Sequence, residues 1–181
     1  TQSALDFFQG RGIDEAVLDR LSVSVENGNL VFPFHKDGEV CFVKYRSRTK
    51  DGGKRFWSSK NPYKIFYGYD DISSEQTIIC EGELDKLSFE VADLPASISV
   101  PFGAPSVKQT SFSDLDECLE HTHEKLDKVE RIVLAVDNDP SGKKLEEELA
   151  RRLGKERCFR VIWPEGCKDA NDVLITYGKE F

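Results

Sequence analysis

The sequence predicts an α/β protein: a parallel sheet flanked by helices, preceded by a small basic α+β subdomain. Three observations predict it. From Thr77 onward, strand-like segments at 77–80, 97–100, 132–136 and 159–163, the third wholly apolar, alternate with helix-like stretches. Unbroken apolar runs suit strands buried on both faces, and strand–helix alternation implies right-handed βαβ crossovers. Before residue 75 the pattern is instead one of short helices and a hairpin. The charge also changes sign there: residues 1–74 hold 11 Lys and Arg against 10 Asp and Glu, and residues 75–181 hold 14 against 23.

The elements follow in order. SALDFFQGRGI reads as a helix capped by Ser3 that stops at Gly10 or Gly12, and DEAVLDRL as a second helix with Asp14 at its start. A hairpin is expected next, with a strand at Leu30–Phe34, a turn at His35–Gly38 and alternation through Val40–Arg46. KDGG at 50–53 reads as a turn, and SSEQ at 73–76 as the joint between domains 1–74 and 75–181. Beyond it come strand Thr77–Cys80, helix Glu83–Ala92, strand Ser97–Val100 and the loop PFGAPS. A helix-rich stretch Asp114–Lys128, strand Ile132–Val136, helix Ser141–Leu153 and strand Phe159–Trp163 follow, and CKDANDVLITYG closes the chain as a loop and short helix.

Composition narrows the function. With 39% hydrophobic and 32% charged residues the chain reads as soluble and intracellular. No apolar run is long enough for a bilayer, and no secretory signal precedes the fold. The chain lacks methionine and begins TQSALDFF, as an excised piece would. Five widely spaced cysteines without a CxxC pair are expected as reduced thiols rather than disulfides or a zinc site. A net charge of −8 argues against nucleic acid until its distribution is considered: residues 36–64 carry nine bases and three acids. Such asymmetry suits a polyanion groove beside a cation pocket.

The acids sit where chemistry in open α/β sheets is found, beyond the carboxyl ends of strands. Glu81 follows the strand at 77–80, Asp137 and Asp139 follow the strand at 132–136, and Asp169 lies past the strand at 159–163. Glu81, Glu83 and Asp85 could serve only as acids in a helix's first turn, and Asp139-Pro140 reads equally as an N-cap with proline at N1. Acids at three strand ends point instead to one carboxylate rim, which suits hard Mg²⁺ that meets phosphates. The bases Lys44, Arg46, Arg48, Lys54, Arg55, Lys60 and Lys64 interleave with Phe42, Tyr45, Phe56, Trp57 and Tyr63. Cations for phosphates and rings for stacking are the ingredients of a single-strand surface, although most of the rings also suit a core.

EGELDKLS (81–88), SVPFGAPS (99–106), AVDNDPSGKK (135–144) and KDANDVL (168–174) together resemble the Toprim domain of primases, topoisomerases, recombination mediators and certain nucleases. The KDAN element, the segment ending KIFYGYDDI and ARRLGKERCFRVIWP look more selectively like the primases of Twinkle-type and phage primase–helicases, plant organellar members especially. The resemblance implies that Glu81, Asp137 and Asp139 are catalytic and metal-binding, with Asp169 supporting the metal. It implies that Lys143 meets a nucleotide phosphate and that the bases from Lys44 to Lys64 grip template and nucleotide. Expected from it are Mg²⁺ (or Mn²⁺) as cofactor, single-stranded DNA and ribonucleoside triphosphates as ligands, and a helicase domain or partner outside this chain. The expected place is a mitochondrion or plastid. The expected activity is nucleotidyl transfer: RNA primer synthesis in DNA replication. A Toprim nuclease and a silent nucleic-acid scaffold are the alternatives. No zinc module, P-loop or tyrosine module is visible in this piece.

Overall fold

Asn27-Gly28 and Asp37-Gly38 both take positive φ, at 50° and 78° and at 55° and 81°. Paired left-handed residues make the two-residue turns whose twist matches that of adjoining strands. Around them, in the computed structural model, an antiparallel sheet forms in the order β1 (Ser24–Glu26), β2 (Asn29–Lys36), β3 (Glu39–Arg48), β4 (Lys54–Ser58). The structure describes residues 2–48 and 53–180, without the side chains of Arg48 and Lys54. Strand β2 runs two residues further than expected, into the anticipated turn, and a register shift at Phe34/His35 accommodates the extra length. The KDGG turn lies outside the described residues apart from Gly53.

Helices α1 (Gln2–Gln9) and α2 (Glu15–Arg20) cover this sheet. Asp14 caps α2, accepting a hydrogen bond from the Val17 amide at 3.0 Å. Ser3 does not cap α1, because the helix already includes Gln2.

The second sheet is parallel, in the order β6 (Ser97–Ser99), β5 (Gln76–Cys80), β7 (Arg131–Ala135), β8 (Cys158–Arg160). Around it stand α3 (Glu83–Val91), α4 (Ser113–Leu126), α5 (Pro140–Leu153) and α6 (Ala170–Tyr177). One core cluster joins Ile79, Ile98, Ile132 and Leu134 to Leu115, Leu126, Leu145 and Leu149 of α4 and α5. Strand β8 is shorter than the apolar run 159–163. Val161 gives one last amide to the Leu134 carbonyl, and Pro164 has no amide to continue. Among the described residues no helix is long and apolar enough to cross a membrane.

The expected joint at 73–76 is packed. Ser73 and Thr77 exchange two hydrogen bonds, and the Glu130 and Arg131 amides donate to the Ser74 and Glu75 carbonyls. Upstream, Tyr67 pairs with Ser99 through two backbone bonds of 2.9 and 3.0 Å, stitching the connecting segment to β6. Ile72 packs against both cores, and Leu87 and Leu174 complete the core beneath the antiparallel sheet. Buried Lys86 pairs with Asp71 at 2.9 Å and with Glu90, which Arg20 of α2 also holds.

Candidate active site

Beyond the carboxyl ends of β5 and β7 lies a cleft of about 430 Å³. Its lining includes the acids Glu81, Glu83, Asp85, Asp137, Asp169 and Asp172 together with Arg11, Lys44, Arg46 and Phe56. Glu81 leaves the end of β5, one residue before α3 is capped by Gly82. Its Oε1 accepts the Ala104 amide at 3.2 Å, while its Oε2 is buried without a hydrogen-bond partner. Burial, then the charge of Asp137, pushes the Glu81 carboxyl up from 4.5 to about 7.

Asp137 and Asp139 follow β7, where α5 begins. Asp139 caps α5, its Oδ1 accepting the Ser141 and Gly142 amides at 2.8 and 2.9 Å. The bland and the functional readings of Asp139 are therefore compatible, since its second oxygen is not used by the cap. Gly142 is the enabling residue here. A Cβ on it would lie 2.0 Å from the Asp137 carbonyl oxygen, so only glycine lets α5 start this close to the strand end.

Asp169 caps α6, accepting the Asp172 amide at 2.8 Å. The neighbouring Lys168 spans the rim: its ammonium lies 2.8 Å from Asp137 Oδ2 and 2.9 Å from Asp169 Oδ2. Burial pushes the Asp137 carboxyl upward against the pull of Lys168, and the two carboxylates hold Lys168 well above the usual lysine range. Asp85, almost wholly buried, accepts the Asn171 amide at 3.4 Å, and burial followed by Asp169 and Asp137 raises its carboxyl far above the ordinary value.

The cleft thus brings together Glu81, Asp137 and Asp169 with Lys44 and Arg46, and Asp139 is not among its lining residues. The expected continuous basic grip is divided. Lys44 is buried, 2.7 Å from Glu83 and bonded to the Pro101 carbonyl. Arg46 reaches over the Phe7 and Phe56 rings at 5.0 and 5.7 Å. Arg55, beside Trp57, belongs to the opposite face of the same sheet, because Tyr45↔Trp57 and Ser47↔Arg55 alternate with Arg46↔Phe56. Lys64 pairs with Asp114 and Glu117 of α4 at 3.0 and 2.5 Å. Lys60 and Lys143 are exposed and do not line the cleft. The side chains of Arg48 and Lys54 lie outside the described residues.

Sequence reasoning left several cleft residues out of the site, Arg11, Asp85 and Lys168 among them. Arg11 donates to Asn171 Oδ1 at 2.7 Å, and only its flanking glycines hint at it. Asp85 sat in the EGELD motif, and Lys168 directly precedes the aspartate that was singled out.

The model of the Toprim-like family matches residues 78–174, more than half of the chain and all of the parallel sheet but the first two residues of β5. The chain belongs to the Toprim-like family. Its Toprim fold also places it beside solved primase structures. The primase fragment of the bacteriophage T7 primase-helicase superposes with a TM-score of 0.74 at 23% identity, over 95% of this chain and 69% of that one. The zinc-binding and RNA polymerase domains of the Aquifex aeolicus primase give 0.73 at 16%, over 99% and 54%. These likenesses are of fold. In sequence, the chain is 41% identical to the Twinkle homolog protein, chloroplastic/mitochondrial, of Arabidopsis thaliana, over 96% of this chain and 26% of that protein. It is also 41% identical to the Primase homolog protein of the same plant, over 96% and 55%. The chain therefore spans about a quarter and about half of these curated relatives.

Proposed function

We propose that this chain is the catalytic core of a DNA primase, a nucleotidyltransferase that makes RNA primers on single-stranded DNA during replication. One observation carries the reading: an acidic rim shares a single cleft with the cationic, aromatic face of a strand. In this reading the 1–74 half holds template and nucleotide, and the 75–181 half performs the chemistry. The 41% identity to a plant primase homolog supports it.

The donor set fits a hard divalent cation. Glu81 Oε2 is a buried carboxylate oxygen with no partner, and Asp137, Asp139 and Asp169 add oxygens only. Among the described residues no group of three or more His, Cys, Asp or Glu side chains is close enough to hold a metal as the side chains stand, so they must close on it. Glu81, Asp137 and Asp139, supported by Asp169, would hold Mg²⁺ or Mn²⁺, which when bound supplies charge neutralisation at the transferring phosphate.

The residues' own tasks follow. A primer 3′-hydroxyl attacks the α-phosphate of a ribonucleoside triphosphate; a P–O bond forms, the α–β phosphoanhydride breaks and pyrophosphate leaves. Glu81, at the end of β5 with one carboxylate oxygen unpartnered, is the group placed to take the hydroxyl proton. Arg46 and Arg11, which line the same cleft, would meet the phosphates. A helicase domain or partner belongs with this core, as in the phage T3 DNA helicase/primase, which is 26% identical over 91% of this chain. The chloroplast and mitochondrion named for one relative are the compartments proposed here.

The test is incorporation of labelled ribonucleotides on single-stranded DNA with a short RNA supplied, with and without Mg²⁺. We expect metal-dependent extension that falls at least about 10³-fold in Glu81→Gln, some 4 kcal/mol of barrier. DNA cleavage lost in the same variant would identify a nuclease, and neither activity would identify a scaffold.

A further inference from the structure

Lys168 is placed by the fold rather than by chance on the surface. Its carbonyl accepts the Asn138 amide at 2.7 Å, tying it to the loop that carries Asp137. Its own amide donates to Asp172 Oδ2 at 3.1 Å, and the next residue caps α6. The backbone is thus pinned from β7 and from α6, and the ammonium is delivered between Asp137 Oδ2 and Asp169 Oδ2.

The other cations of the cleft have partners elsewhere. Lys44 pairs with Glu83, Arg11 with Asn171, and Arg46 lies over two rings. Within the rim, Asp137 and Asp169 share one ammonium, and Glu81 and Asp85 line the same cleft. Carboxylates at this density repel unless a cation holds them. An ammonium and a divalent metal would both seek the oxygens of Asp137.

Resting on the metal reading above, we propose that Lys168 is the resident counter-cation of the acidic rim, and that a divalent metal engages Asp137 by exchange with its ammonium. The side chain is long and half exposed, so withdrawal needs only rotamer changes. Lys168 then acts as a positioning residue. It holds the acids together before the metal arrives, lowers metal affinity, and on release presents a cation to incoming phosphates.

The experiment uses the full 181-residue chain with Mn²⁺ as probe, its uptake followed by electron paramagnetic resonance and calorimetry. Lys168→Met should bind Mn²⁺ about tenfold more tightly, the scale expected for removing one partly screened charge. Lys168→Arg should resemble the wild type, and Asp137→Asn should lose uptake. Without metal, Lys168→Met should melt below the wild type and gain more from Mn²⁺. Equal or weaker binding by Lys168→Met would overturn the proposal while leaving the metal site standing. If no protein takes up Mn²⁺, the metal reading itself falls. A second measurement needs no variant: acylation of wild-type amines. Mg²⁺ should raise labelling at Lys168, and unchanged labelling at saturating Mg²⁺ would also overturn the exchange.

Discussion

In the antiparallel half, Lys44 and Lys64 each meet carboxylates supplied by the parallel half, Glu83 for one and Asp114 with Glu117 for the other. In the parallel half, the acids of the rim meet a lysine from their own half, two residues before α6. The first arrangement uses opposite charges as fasteners between halves and leaves Arg46 facing the cleft. The second keeps a surplus of carboxylates in one place. A count of charges along the chain therefore overstates the basic grip and understates the acidic site.

Disturbing the geometry of the acidic half should have the largest effect. Gly142→Ala forces a Cβ against the Asp137 carbonyl, and backbone cannot step aside as a side chain would. We expect a loss of about 3 kcal/mol or more in denaturant unfolding, the upper range for overpacking, together with loss of Mn²⁺ uptake. A variant as stable as the wild type would refute the close-approach role.

Lys44→Met tests the fastener reading. It leaves Glu83 buried opposite an apolar chain and should cost about 3 kcal/mol, the scale for breaking a buried pair from one side. The salt dependence of single-stranded DNA binding should not change. A flatter salt dependence would mean that Lys44 meets phosphate after all.

A smaller effect should appear with pH. The Glu81 carboxyl is raised in the folded state, so the folded protein binds that proton more tightly than the unfolded chain. Stability of the metal-free protein should be greatest near and below pH 4.5 as far as this group is concerned. It should fall as pH climbs to about 7, by on the order of 2 kcal/mol once partial exposure is allowed for. Asp85 and Asp137 are shifted in the same direction. Urea midpoints across that window should show the fall, and Glu81→Gln should flatten it.

The finest distinction lies within the basic sheet. Arg46→Glu, on the cleft face, should weaken DNA binding by about 1 kcal/mol and lower the slope against log salt by about one. Arg55→Glu, on the other face, should leave primer extension unchanged. Equal loss of extension in both would mean that nucleic acid wraps the sheet edge.

The parallel sheet and its acids were legible in the sequence because strands buried on both faces leave unbroken apolar runs. The antiparallel sheet was legible only in part. Strand β1 was missed although Asn27-Gly28 carries a strong short hairpin signal, because three half-exposed residues make no apolar run. Strand β4 was missed because its two faces are both partly exposed, so Lys54 to Ser58 shows no clean alternation. Glu81 and Asp137 could be placed from strand ends alone, whereas Asp169 lies well past β8, at the cap of α6. The roles of Lys44, Lys64 and Lys168 could not, since each depends on which carboxylate the tertiary fold brings within 3 Å.

Enzymes that work between two halves commonly set their opening with a hinge. The bridge between Tyr67 and Ser99, the shared packing of Ile72 and the buried ammonium of Lys86 leave no slack for one in the connecting segment. The connecting segment is accordingly part of the core, packed when the chain folds. In the primase reading proposed above, a nucleotide would be gripped by what can still move: the long side chains that reach into the cleft.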